Sequence, residues 1–230
     1  MNPSSLLGDA ESGPAARTGR CLLLVAVAAA VVALVTVVTV VAPRRVRVPG
    51  DGSADAGFAR DMAVHHAQAV EMAELIRTRT DNHDVRVLAV DISLTQQAQI
   101  GWMYGWLDAW GLPVGGRQPA MAWMGMPADG LMPGMAARAQ INELAGLSGA
   151  QADARFLRLM IPHHQAGVAM AQAALDHAGR PEVRRLAEAM VAAQQSEIAA
   201  MGDLLAAIPG APAPAAGGHG GPMEHPKGGR

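Results

Sequence analysis

From residue 58 onward, apolar positions recur every three to four residues. Phe58, Met62, His65, Ala69, Met72, Ala73 and Ile76 share one face of a 3.6-residue helix. The spacing predicts a helix over 55–79, a Thr80-Asp81-Asn82 turn whose Asp or Asn caps the next helix, and a second helix ending at Trp110. Gly111 and Pro113 supply the stop. The pattern then returns at an offset of 98 residues. Phe58-Ala-Arg-Asp-Met62-Ala-Val-His65-His66 aligns with Phe156-Leu-Arg-Leu-Met160-Ile-Pro-His163-His164. The register persists through Met72/Met170, Gln96/Gln194, Ile100/Ile198, Met103/Met201 and Leu107/Leu205.

Each unit reads as a helical hairpin, 55–110 and 148–208. In the second, Ser148 and Gln151 have capping-box spacing, and Gly179 followed by Pro181 marks a helix end and a helix start. Pro162, inside a helix, removes a backbone hydrogen bond and predicts a kink. Two hairpins with one apolar stripe each bury those stripes against each other. The expected fold is all-α, an antiparallel four-helix bundle over 55–208 with pseudo-two-fold symmetry. Residues 111–147 form a Met-rich connection with a short helix expected over 136–145.

Before the bundle, residues 22–42 are apolar apart from Thr36 and Thr39. Twenty-one residues at about 1.5 Å each span about 30 Å, the thickness of a bilayer core. The run is too long for a secretory signal, so a single transmembrane helix over 21–43 is expected, after a short N-terminal tail, 1–20, and before a linker, 44–54. Arg17 and Arg20 precede it; Arg44, Arg45 and Arg47 follow it. That charge balance leans towards a cytoplasmic bundle. The tail 209–230 is rich in Pro and Gly and is expected to be disordered.

Composition narrows the chemistry. With 18 basic and 20 acidic residues and no long basic run, nucleic acid is not an expected partner. The one cysteine, Cys21, precedes the apolar run, which excludes disulfide scaffolds, thiolate zinc sites and Cys nucleophiles from the bundle. No nucleophile–base set, phosphate loop or paired carboxylate stands out, so the chain is not expected to be an enzyme. A ferritin-type di-metal oxidase needs Glu-x-x-His pairs, and neither hairpin has one. What the chain has instead is 14 methionines and 8 histidines.

On the helical wheel His65 sits in the apolar stripe between Met62 and Met72, with His66 on its flank. The repeat places His163 between Met160 and Met170, with His164 beside it. Met103 and Met201 on the second helices can face the same interior. Thioether is a soft ligand and imidazole a borderline one; together they suit copper, Cu(I) above all. The candidate ligands are Met62, His65, His66, Met72, Met103, Met160, His163, His164, Met170 and Met201. Imidazole must be neutral to bind, so affinity is expected to fall below about pH 6.5. Such a site survives an oxidising compartment, which argues for an extracytoplasmic bundle against the charge lean. The competing reading makes the same residues packing groups, since Met fills irregular cores well. Burying imidazole without partners, however, costs about 1–3 kcal/mol each. Met121, Met124 and Met126 in the connection read as accessory ligands, a lid or packing. His83 and His177 read as surface residues.

The motif Phe-x-x-x-Met-x-x-His-His followed by Met-Ala, then Gln-x-x-x-Ile-x-x-Met, resembles the bacterial family called domain of unknown function 305. The second copy, from Phe156 to Gln165, is especially similar, and the likeness covers residues 53–206. The resemblance implies a ferritin-like bundle that is exported or membrane-anchored. In some members copper is bound through Met and His, and that role maps onto the same ten residues.

Overall fold

The computed structural model describes residues 24–33 and 48–209, and these are all-helical, with no strand among them. The chain divides into two units, 1–47 and 48–230. In the first, residues 24–33 are helical (α1). The expected anchor over 21–43 otherwise lies outside the described residues, as do residues 210–230 of the tail. Among the described residues no helix is long and apolar enough to cross a membrane.

The second unit is a helical bundle. Four long helices, α2 (Ala54–Arg77), α3 (His83–Ala109), α5 (Gly149–His177) and α6 (Pro181–Ala207), are joined by a short 3₁₀ turn, Ala122–Met124, and by α4 (Arg138–Gly146). Their ends follow local chemistry. Asn82 Oδ1 accepts from the Asp84 and Val85 amides at the start of α3. Gly111 adopts φ 67° just past its end, a conformation that an L side chain resists. Pro181 opens α6, where its missing N–H costs nothing.

Two expected caps differ. Ser148 stands at the N-cap of α5, but its hydroxyl makes no capping bond. Gly179 does not take the left-handed conformation; Ala178, in extended conformation, ends α5. The Gly179 and Arg180 amides are instead capped from across the bundle by the Asp55 carboxylate, at 3.3 and 2.8 Å. α5 runs as one helix through Pro162.

The core consists of two apolar clusters. One gathers Phe58, Met62, Met103, Leu107, Met170, Leu186 and Met190. The other gathers Met72, Ile76, Ile92, Phe156, Met160, Met201 and Leu205. α2 and α6 run from the first cluster to the second, and α3 and α5 run the other way, so each hairpin is antiparallel and α2 lies antiparallel to α5. Apart from Asp55 and Arg60 near the start of α2 and Asp153 near the start of α5, the buried polar residues of each long helix fall between the two clusters. They are His65 and His66 on α2, Ser93, Gln96 and Gln99 on α3, His163 and His164 on α5, and Gln194 on α6. The bundle therefore carries a polar slab across its middle.

The connection is fastened to one side of α2. Arg60 donates to the Pro113 carbonyl at 3.0 and 2.9 Å and to Asp51. Asp61 Oδ2 accepts from the Met121 amide and Trp123 Nε1 at 2.7 and 2.8 Å. Gln68 bonds both the N–H and the C=O of Ala136, at 2.6 and 2.9 Å.

Candidate metal centre

Helical spacing puts the four histidines in the slab, since His65/His66 and His163/His164 occupy matching turns of antiparallel helices. None is more than 1% exposed. His65 and His163 meet across α2 and α5 with ring centroids 3.8 Å apart and planes tilted by 30°. His66 and His164 turn outward to the second helix of their own hairpin. His66 Nε2 lies 2.7 Å from the amide oxygen of Gln99, and His164 Nε2 lies 2.8 Å from Glu197 Oε2. Gln99 and Glu197 are themselves 98 residues apart. His65 Nε2 donates to the Pro133 carbonyl at 3.3 Å.

These bonds fix the tautomers. Carbonyl and carboxylate oxygens only accept, so the proton sits on Nε2 and the lone pair on Nδ1. Nδ1 of His65, His66, His163 and His164 is buried with no hydrogen-bond partner, and His163 Nε2 has none either. An orphaned buried acceptor costs about 1–3 kcal/mol. Several in one slab are a strained way to pack a core and a suitable way to present ligand atoms.

Burial decides the protonation state. It lowers His65 to about 4 and His66 to about 3, and the other imidazoles add repulsion. His163 is driven well below its ordinary value by burial, then by the charges that His65, His164 and His66 would carry. The imidazoles of these three therefore stay neutral well below the pH 6.5 expected from an exposed histidine, which corrects the expected acid limit of ligand competence.

The ten candidate residues do not converge on one point. All six methionines are buried, but Met62, Met103 and Met170 lie in one cluster and Met72, Met160 and Met201 in the other. Ten residues separate Met62 from Met72 on α2, about 15 Å of rise. Each trio thus mixes the two repeats: Met62 and Met103 from one hairpin join Met170 from the other. Met62 and Met160 stand one turn before the His pairs, and Met72 and Met170 two turns after His65 and His163, on the same helix face.

Sequence reasoning passed over Gln99 and Glu197, the acceptors that orient His66 and His164; the 98-residue offset was the signal that pairs them. It also passed over Met190 and Met132, which are buried in the first cluster with Met121. Met190 aligns with Ile92, so the repeat hides it. Met126 is 58% exposed and lies away from the core. His83 and His177 are exposed, as expected. Among the described residues no three His, Cys, Asp or Glu side chains are grouped to hold an ion. A metal held here must draw on thioethers as well as imidazoles.

The connection closes over the His pair. A Cβ on Gly134, which has φ 76°, would lie 2.6 Å from the Pro162 carbonyl oxygen and from Ala166 Cβ, and 3.1 Å from His163 Cα. Only glycine lets this turn rest on α5 while the neighbouring Pro133 holds His65.

Fold and site together define an all-helical protein with a duplicated His/Met interior. Residues 55–205 match the family called domain of unknown function 305 (DUF305), and the chain belongs to that family. It is similar to a Streptomyces coelicolor DUF305 protein described as secreted, with 51% identity over 68% of this chain and 94% of that one, TM-score 0.66. A DUF305 fragment from Deinococcus radiodurans matches with 41% identity over 66% of this chain and 95% of that one, TM-score 0.57. CopM, solved in its Cu(II)-bound form, matches with 31% identity over 66% of this chain and 95% of that one, TM-score 0.55. No curated protein matches the chain.

Proposed function

We propose that this chain binds copper, chiefly Cu(I), through neutral imidazoles and thioethers, and sequesters it or hands it on without catalysing a reaction. The observation that carries this reading is the set of four buried, unpartnered Nδ1 atoms, three of them pre-oriented through Nε2. Soft sulfur on either side, and no cluster of three harder ligands among the described residues, favours copper over zinc or iron. The likeness to CopM, a protein solved with copper, supports it. The finer architecture proposed with it is a ferritin-like four-helix bundle, tethered by a membrane helix over 21–43 and facing the cell exterior, where thioether outlasts thiol.

The test is calorimetric and analytical. Purified 44–230 should bind Cu(I) in preference to zinc and melt at higher temperature with it, because a ligand of the folded state alone stabilises that state. Replacing His65, His66, His163 and His164 with Ala should abolish the shift; unchanged Cu(I) stoichiometry would refute the proposal. The short His65–His163 contact favours a second reading, a purely structural bundle whose imidazoles are packing groups. That reading predicts no melting shift with Cu(I) at all.

A further inference from the structure

The two halves of the centre match at the repeat offset and differ in two contacts: His65 Nε2 donates to the Pro133 carbonyl where His163 Nε2 has no partner, and the outer acceptors differ in charge. At the position one turn-crossing away from each outer imidazole, the first hairpin carries an amide, Gln99, and the second a carboxylate, Glu197. The distances to Nε2 are 2.7 and 2.8 Å, so geometry does not distinguish them; chemistry does.

A carboxylate that accepts the Nε2–H of imidazole raises the electron density at the opposite nitrogen and adds a negative charge beside the ligand. An amide fixes the same tautomer without that charge. His164 is fully buried, its Nδ1 is unpartnered, and the Glu197 side chain keeps 21% of its surface. The carboxylate is therefore partly exposed at the edge of the slab while its partner is inside, and its charge lies one hydrogen bond from the buried ring. The same turn in the first hairpin offers a neutral neighbourhood.

Resting on the copper reading above, we infer that Glu197 is a positioning residue that makes the His163/His164 half the one able to hold a divalent ion, Cu(II), while the His65/His66 half with Gln99 is matched to monovalent Cu(I). The inner imidazoles occupy matching repeat positions, and so do the flanking methionines, and the Pro133 contact of His65 is neutral. The oxidation-state preference comes from the outer acceptor. Mutating such an outer partner of a metal-ligating histidine lowers affinity by about 10- to 100-fold.

The experiment titrates the full-length chain with Cu(II), followed by electron paramagnetic resonance, and with Cu(I), followed by a competing chelator. It compares the wild type with E197Q, Q99E and the double swap Q99E/E197Q. Expected is one tightly held Cu(II) fewer in E197Q, one more in Q99E, and the wild-type number restored in the swap, with Cu(I) capacity unchanged throughout. Restoration by the swap is a result that a merely structural role of Glu197 would not produce. Cu(II) affinity within twofold of wild type in E197Q, or no gain in Q99E, overturns the inference while leaving copper binding intact. A wild-type chain that takes up neither ion overturns both.

Discussion

The two hairpins share a core and differ in what surrounds it. Residue by residue at the 98-residue offset, Phe58/Phe156, Met62/Met160, the His pairs, Gln96/Gln194 and Met103/Met201 do the same work in opposite directions. Outside that core the first hairpin carries the connection, held by Arg60, Asp61 and Gln68. The second has Arg158, Leu159 and Ala166 at those places and meets the connection instead through the Arg155–Glu143 ion pair and the close approach of Gly134 to α5. The first cluster also collects Met121, Met132 and Met190 on top of its trio, so sulfur is unevenly distributed between the ends. The lesson is that interior ligands follow the duplication, whereas the fastening and the charge have diverged: α2 grips the connection by hydrogen bonds, and the second hairpin alone sets a carboxylate against its outer imidazole.

The largest expected effect belongs to the part both halves share. His65 and His66 have folded pKa values of about 4 and about 3, against 6.5 for an exposed histidine. Below 6.5 the unfolded chain takes up protons that the folded chain refuses. Their contribution is thus complete above that pH and is lost as pH falls towards the folded values, at about 1.4 kcal/mol per pH unit for each group. The metal-free chain should lose about 5 kcal/mol between about pH 6.5 and about pH 4.5, and His163 acts in the same direction. Urea unfolding across that range checks it, and a flat profile would remove the buried neutral imidazoles of His65, His66 and His163 from the account.

The next effects separate the halves. Arg60→Ala strips four hydrogen bonds from a guanidinium that is 7% exposed and should cost about 3 kcal/mol. Arg158→Ala, at the matching exposed position, should change stability by less than about 0.5 kcal/mol. Equal costs would mean that the connection is not a feature of one half alone. Gly134→Ala combines a positive φ with a clash against α5 and should cost about 2 kcal/mol or more, read by the same unfolding assay. Gln68→Ala, which frees both polar groups of Ala136, is expected to cost about 1–2 kcal/mol and to speed amide exchange at residues 134–137.

Much of this was legible from spacing alone. The period of 3.6 and the constant offset lead directly to the long helices, to the buried His pairs and to Gly111 as a stop. What spacing does not carry is the pairing across the fold. Asp55 on α2 caps the start of α6, a long-range bond that made the local signal at Gly179 misleading. The connection had no period to read, so its grip on α2 through Asp61 and Gln68 and its closure over His65 through Pro133 emerged only in three dimensions. The methionines show a limit of another kind. A helical wheel compresses the axis, so Met62 and Met72 look adjacent although about 15 Å of helix separates them.

The central claim is that imidazole nitrogen and thioether sulfur in the bundle interior bind the same ion. Copper K-edge X-ray absorption on the Cu(I)-loaded chain reads that shell directly. The account predicts nitrogen and sulfur neighbours together, with the nitrogen lost when His65 and His163 are replaced by Ala. A shell of nitrogen and oxygen alone, or one untouched by those substitutions, would contradict it.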